Sequence, residues 1–286
     1  MAWITWLAIA LAVLLVALVA LNALGAARWA EGTAALRARL QAAREPPLVA
    51  RYDARELAGL PAPVQRFFRA ALTDGQPVVT AASIAHSGSF NMGQTRDQWK
   101  PFTSTQRVVT RRPGFAWDGR VMMLPGVPVQ VHDAYVAGEG LLQPSVFGLF
   151  SLTRVAGGGE IARGELMRFF AEAAWYPTAL LPSQGVRWEA VDEQRARATL
   201  VDGDIRLTMT FGFGADGLIE TVMADARGRM EGDRVVMAPW QGRFWNYERR
   251  SGMQVPLEGE VAWLLPAGRK PYWRGRTTAL AYEFAP

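Results

Sequence analysis

From about Ser83 to the end of the chain, apolar side chains recur at every second position rather than every third or fourth. Successive strand residues face opposite sides of a sheet, so this period commits most of the chain to β structure with one buried face. The clearest run sets Ile205, Leu207, Met209, Phe211 and Phe213 against Arg206, Thr208, Thr210 and Gly212. A second places Val255, Leu257, Gly259, Val261, Trp263 and Leu265 on one side, with Glu258 and Glu260 on the other. Further strands are expected over residues 83–92, 103–111, 115–124, 127–137, 186–192, 195–202, 217–229, 239–249 and 271–284. Turn sequences such as Arg112-Pro113-Gly114, Asp202-Gly203, Asp216-Gly217 and Ser251-Gly252 separate them. The spacing is too tight for helical crossovers and predicts an antiparallel meander.

Two helices interrupt this period. After Pro61 and Pro63, the residues Val64, Phe67, Phe68, Ala71 and Leu72 form an apolar stripe at helical spacing. Over residues 160–175, Ala162, Leu166, Phe169, Phe170 and Ala173 share one side. The expected fold class is mainly β (α+β): a strongly curved antiparallel sheet or half-barrel of about ten to eleven strands, with two helices on its inner face.

Residues 3–24 carry no charged side chain, and only Thr5 and Asn22 are polar. At about 1.5 Å per residue this run spans roughly the 30 Å hydrocarbon core as a helix. Trp3, Trp6 and Trp29 bracket it, as interfacial indoles do. A cleaved signal peptide is the competing reading, with Ala23, Gly25 and Ala27 as small residues for a peptidase. The run is long, however, and no Lys or Arg precedes it. Trp29, Thr33, Leu36, Leu40 and Ala43 then keep helical spacing up to Pro46-Pro47. The division expected is a transmembrane anchor over 1–27, a juxtamembrane helix or stalk over 28–51, and one β-rich domain over 52–286. Arg28, Arg37, Arg39 and Arg44 follow the span, near where lipid headgroups would lie, and by the positive-inside rule they argue for a cytoplasmic domain.

Chemistry is harder to find. The chain has no cysteine, which removes disulfides, thiolate catalysis and cysteine-bound zinc together. Its net charge is +5, but the arginines are scattered among carboxylates without a basic run, which argues against nucleic acid. His86 and His132 are the only histidines and belong to no metal-ligand motif; His132 and Asp133 are adjacent and would face opposite sides of a strand. There is no G-x-S-x-G, and Gly157-Gly158-Gly159 leads into no phosphate-binding loop. No cofactor or metal is therefore expected. Glu258 and Glu260 share a face and could act as paired carboxylates, but Arg243, Arg274 and Arg276 are simpler cross-strand partners. More informative are two oily stretches read as loops, residues 144–150 and 174–182. Apolar loops must be buried, meet a membrane or line a cavity. The residues expected to line such a cavity are Trp117, Tyr135, Phe147, Phe150, Phe169, Phe170, Trp175, Tyr176 and Trp263.

The string AEAAWYPTALLPSQGVRW at residues 171–188 resembles the central signature of an uncharacterised bacterial membrane-anchored family. So do Trp99-Lys100-Pro101-Phe102, Val131-His132-Asp133-Ala134-Tyr135, Trp240-Gln241-Gly242-Arg243-Phe244 and LEGEVAWLLP at residues 257–266. The resemblance spans about residues 56–284 and implies no catalytic residue, because the family carries no established activity. A looser, architectural resemblance is to the half-barrels of LolA- and LolB-like lipoprotein carriers and mycobacterial lipid-binding lipoproteins, which hold acyl chains between sheet and helices outside the cytoplasm. This chain lacks their lipobox cysteine, so tethering falls to the apolar helix. The anchor, the oily loops and the curved sheet point to a membrane-tethered binder of a lipid or other lipophile; the carrier resemblance and the lack of cysteine put its domain on the extracytoplasmic side, against the argument from the arginines. An envelope interaction module without ligand is the alternative, and an enzyme using Glu258, Glu260 or His132 is third.

Overall fold

The alternating period resolves into one antiparallel sheet whose neighbours in space are nearly all neighbours in sequence. The computed structural model describes residues 2–93, 96–124, 126–232 and 234–286; Met1, Gln94, Thr95, Pro125 and Asp233 lie outside the described residues. Among the described residues there are fourteen strands. The first seven are β1 (Val79–Asn91), β2 (Trp99–Val109), β3 (Gly114–Leu124), β4 (Val127–Val136), β5 (Glu139–Val146), β6 (Phe150–Ser151) and β7 (Val155–Gly157). The second seven are β8 (Arg187–Ala190), β9 (Arg195–Asp202), β10 (Ile205–Phe213), β11 (Ile219–Glu231), β12 (Arg234–Arg250), β13 (Met253–Leu265) and β14 (Gly268–Phe284).

The order is β6-β5-β4-β3-β2-β1-β14-β13-β12-β11-β10-β9-β8, with β7 added beside β5. Only the β1–β14 junction joins strands distant in sequence; it seals two meanders into one curved, unclosed sheet. The mainly-β class, the curved sheet and the accompanying helices are as the sequence predicts.

Three strands, β5, β6 and β7, escape the sequence pattern, β5 being the longest. Residues 144–150, read as an oily loop, are the end of β5, a tight turn and the start of β6. In β5 the cause is burial on both faces, which erases alternation. Leu141 packs on the convex side and Leu142 on the concave side, so neither neighbour is polar.

Helices α2 (Ala62–Ala71) and α3 (Glu160–Ala171) fill the concave side, and α3 runs on as a tighter turn through Glu172–Trp175. Val64, Phe67, Phe68, Leu166, Phe170, Trp175 and Tyr176 are buried there with Phe211. Aromatic polar atoms buried in this core find partners, as they must away from water. Trp175 Nε1 donates to Pro256 O at 2.9 Å, Tyr176 OH to Phe169 O at 2.7 Å and Tyr282 OH to Trp175 O at 2.6 Å.

The N-terminal helix α1 (Ala2–Ala42) is continuous. Its buried residues are Gly25, Trp29, Thr33, Leu36 and Leu40, one stripe that lies along the convex face of β2–β4. Trp29 stacks on His132 with ring centroids 3.7 Å apart and donates Nε1–H to Asp118 Oδ1 at 2.8 Å. Thr33 Oγ1 lies 3.1 Å from Asp118 Oδ2 and 2.8 Å from His132 Nε2. Leu36 and Leu40 pack on Ala81, Val109, Ala116, Ala134 and Val136, small or branched side chains that let the helix sit close.

The stretch read as a stalk is thus bound to the sheet. Three of the four arginines read as lying near headgroups are bound with it. Arg37 donates to Thr105, Arg39 to Glu139, and Arg44 to both Glu283 and Thr80.

Replacing Trp29 with Ala removes a buried indole, a stacked pair and a hydrogen bond. Such a change costs about 3–5 kcal/mol at buried sites. The expected outcome is undocking of residues 26–42, checked by limited trypsin digestion: new cleavage at Arg37 and Arg39 of the W29A chain, with the sheet intact. An unchanged digestion pattern would show that the indole does not hold the helix.

Candidate functional site

Three tryptophans on the concave face share one local pattern: Trp117-Asp118-Gly119 on β3, Trp240-Gln241-Gly242 on β12 and Trp273-Arg274-Gly275 on β14. Residues two apart on a strand face the same way, so each indole has a glycine beside it. A Cβ on Gly119 would overlap the Trp117 ring, and one on Gly275 would overlap the Trp273 ring; on Gly242 it would stand 3.5 Å from Cη2 of Trp240. The rings lie down on bare backbone. Gly88 and Gly259 flank Gly275 in register, so glycine covers the middle of the inner face.

Indoles lying flat leave room where upright rings would fill it. The space is a cavity of ≈ 390 Å³ between the sheet and the C-terminal end of α3. Small-molecule sites run from about 300 to 1,000 Å³. Its walls are Phe90, Trp117, Trp175, Trp240, Phe244 and Trp273 with Val121, Met123, Val129, Val131, Leu142 and Val261.

The floor is polar and closed on itself. Arg168 of α3 donates Nη1 to Asp133 Oδ2 at 2.5 Å, Nε to Glu172 Oε1 at 2.7 Å and Nη2 to Gln106 Oε1 at 3.1 Å. Gln106 Nε2 closes the ring on Glu172 Oε2 at 2.6 Å. The guanidinium also lies 4.8 Å from the Phe115 centroid and 5.1 Å from that of Trp117. A second guanidinium, Arg227, stacks over Trp240 at 5.0 Å. Two carboxylates therefore face two cations.

Glu165, buried behind them, adds no charge. Burial first, then the Asp133 carboxylate, raises its pKa well above the ordinary carboxyl value, against the lowering pull of Arg227 and Arg168. Asp133 Oδ1 and Glu165 Oε2 are buried and lack any N–H or O–H partner among the described residues. A proton carried by Glu165 and donated to Asp133 satisfies both.

Beside the cavity, Ser104, His86 and Thr277 stand in register across β2, β1 and β14. His86 packs against the Trp175 and Trp273 rings at 4.7 and 5.9 Å. Burial, then the Arg168 charge, lowers its pKa to about 3, so the imidazole is neutral. This row offers uncharged hydrogen-bonding groups behind the indole wall. Among the described residues no three His, Asp or Glu side chains converge to hold a metal ion.

Of the residues named from sequence, Trp117 and Trp175 line the cavity. Phe169, Phe170 and Tyr176 are packed into the adjoining core, and Tyr135 is buried with its hydroxyl donated to Asp202 at 2.6 Å. Trp263 stacks on the lining residue Tyr272 at 5.8 Å. Phe147 sits in the β5–β6 turn at φ 55°, and Phe150 is exposed. Glu258, Glu260 and His132 do not converge. Glu258 accepts from Trp245 and Asn246, Glu260 from Arg269 and Arg274, and His132 faces α1. Sequence reasoning missed Phe90, Trp240, Phe244 and Trp273, although the repeated Trp-x-Gly was the signal that joins three of the walls.

Residues 58–282 match DUF6920, a family of unknown function, and the chain belongs to that family. No curated protein matches it. Among solved structures it is similar to a LolA superfamily protein of Nitrosomonas europaea, at 11% identity and a TM-score of 0.31, over 72% of this chain and 87% of that one. It is also similar to a beta-barrel-like protein of the domain of unknown function DUF1849 from Brucella abortus, at 10% identity and a TM-score of 0.20, over 72% and 99%. Similarity at that level carries no functional argument, and the cavity must supply it.

Because Glu165 holds in the folded chain a proton that the unfolded chain releases above its ordinary value of 4.5, the stability it supports is full below that pH and falls as pH rises toward the raised pKa. Glu165→Gln keeps a donor for Asp133 and abolishes the titration. Denaturant unfolding across a pH series should show the variant gaining on the wild type as pH rises; parallel curves would mean that Glu165 is ionised when folded. Gly275→Ala tests the wall: the Trp273 ring must swing into the cavity, at a cost of about 1–3 kcal/mol, read as a lower unfolding midpoint.

Proposed function

We propose that this member of the family is a membrane-tethered protein that binds a lipophilic molecule in the cavity between its curved sheet and α3. The observation that carries the reading is a cavity of ≈ 390 Å³ walled by indoles and aliphatic side chains, set beside the buried core. Close-packed interiors carry few voids of this size, and an apolar one is suited to an apolar ligand. Burying an apolar ligand there gains about 25 cal/mol per Å² removed from water.

The floor narrows the ligand. Arg168 commits three of its five N–H donors to Asp133, Glu172 and Gln106, and the two carboxylates offset its charge, which weakens its pull on an anionic headgroup. With Glu165 protonated, the two carboxylates balance the two guanidinium groups. A hydrocarbon chain or an uncharged lipophile suits this end better than a charged one.

Tethering has its own support. The apolar stretch of α1 carries no charged side chain over residues 3–24 and is not covered by the rest of the protein. Lipid is the partner that such a surface demands. Cleavage near Ala23–Ala27, as a signal peptide would require, would sever the helix at Gly25, where it already touches the β5–β6 turn. We place the domain outside the cytoplasm. The sheet engages Arg37, Arg39 and Arg44, so docking accounts for these residues without a role in retention.

Native mass spectrometry of the full chain extracted from membranes, with organic extraction of the same sample, tests the binding. One copurifying lipophile per chain is expected. Val131→Trp or Val261→Trp, which fill the cavity, should weaken occupancy about tenfold, equivalent to about 1.4 kcal/mol. Wild-type protein free of any lipophile would refute the reading. A C-terminal alkaline phosphatase fusion should be active; an inactive fusion beside a fluorescent cytoplasmic reporter would reverse the side.

A further inference from the structure

The direction of α1 across the sheet is fixed by its contacts. Gly25 meets Phe147 and Leu149 in the β5–β6 turn, Gly32 meets His132 in mid-strand, and Leu40 reaches Gly114 at the far end of β3. The apolar residues before Gly25 therefore leave the sheet at the end that carries the β1–β2, β3–β4 and β5–β6 turns. Register places these turns side by side, since Asn91 pairs with Trp99, Leu124 with Val127 and Val146 with Phe150.

That end is apolar. Met92 is 48% exposed, Leu124 60%, Phe150 58% and Leu152 61%. Clustered exposed apolar side chains of this size mark a contact surface. Met92 and Leu152 also line the cavity, whereas Trp117 and Trp175 at its other end are buried. The mouth thus opens among the turns, on the side from which the anchor departs. Arg28, Arg96 and Arg154 stand exposed near the same end, where phosphate headgroups would meet them.

We propose that the β1–β2, β3–β4 and β5–β6 turns rest in the surface of the bilayer that α1 enters, and that the cavity loads from that leaflet through a mouth between Met92 and Leu152. The loading step rests on the lipophile-binding reading; the bilayer contact rests on the docking of α1 alone. The partner is lipid because a rigid helix holds the turns level with the start of its own apolar span. Interfacial side chains of this kind sit at the boundary of headgroups and acyl chains.

The chain has no cysteine, so a single introduced thiol can be labelled uniquely. The full chain would be reconstituted in vesicles of phosphatidylcholine and phosphatidylglycerol, with an environment-sensitive fluorophore on Leu124→Cys, Phe150→Cys or Gln41→Cys. Gln41 lies roughly 24 Å further along the helix, away from the span, at about 1.5 Å per residue. A spin label high on the lipid acyl chain should quench positions 124 and 150 roughly twofold or more relative to 41, with a blue shift. Lipophile occupancy is read separately by native mass spectrometry. Turns quenched no more than Gln41 overturn the bilayer contact, and a retained lipophile would then leave the binding reading standing. Quenched turns on a chain that holds no lipophile overturn loading and binding together while the contact stands.

Discussion

A tryptophan on the concave face of a curved sheet points its ring into the core unless the backbone beside it leaves room for the ring to fold down. Glycine two residues on leaves that room at Trp117 and Trp273, where an added Cβ would overlap the indole, and gives Trp240 a bare neighbour where one would stand in ordinary contact. The rest of the interior depends on this. Were these rings upright, the space between sheet and α3 would be filled, and the fold would be a solid core of the usual density. Glycine costs strand stability and conformational entropy. Its repeated use at in-register positions, Gly88, Gly275 and Gly259, is hard to explain by sheet formation alone.

Strand β4 connects this interior to the docked N-terminal helix. His132 faces out and stacks on Trp29 of α1; Asp133, the next residue, faces in and holds Arg168 at the cavity floor. The alternation that defines a strand puts the helix contact and the floor on opposite sides of one backbone. The C-terminal half of α1 is therefore part of the folded body, and its docking sets the end of the sheet from which the apolar half departs. The floor is built to be balanced in charge, with Arg168 held by Asp133, Glu172 and Gln106 and a shared proton joining Glu165 to Asp133. Buried charge in this arrangement organises the site without advertising a charge to a ligand.

Much of the fold was legible because its physics is local. Alternation at 205–213 and 255–265, glycine turns between strands, and helical spacing at 64–72 each act within a few residues. The long apolar run announced α1. Two kinds of feature were not legible. Strand β5 hid because both of its faces are covered, so its end at residues 144–146 read as part of an oily loop and residues 139–143 were assigned to no strand. The cavity walls were only partly found because lining is a property of register: Trp117 and Trp175 were named for their neighbours in sequence, while Phe90, Trp240, Phe244 and Trp273 meet them only through pairings across β1, β14, β13 and β12. Tyr135, Phe169, Phe170 and Tyr176 were chosen as aromatic, which places a residue inside without saying whether it faces a ligand or another side chain. The Trp-x-Gly repeat carried the missing information, since it distinguishes a ring that lies down from one that fills the core.

The most direct test is an experimental structure of the full chain in a lipid nanodisc, at a resolution that shows side chains. The account predicts the indoles of Trp117, Trp240 and Trp273 flat on their glycines, with elongated density between them that no protein atom explains. Indoles turned inward, closing the space against α3, would contradict it.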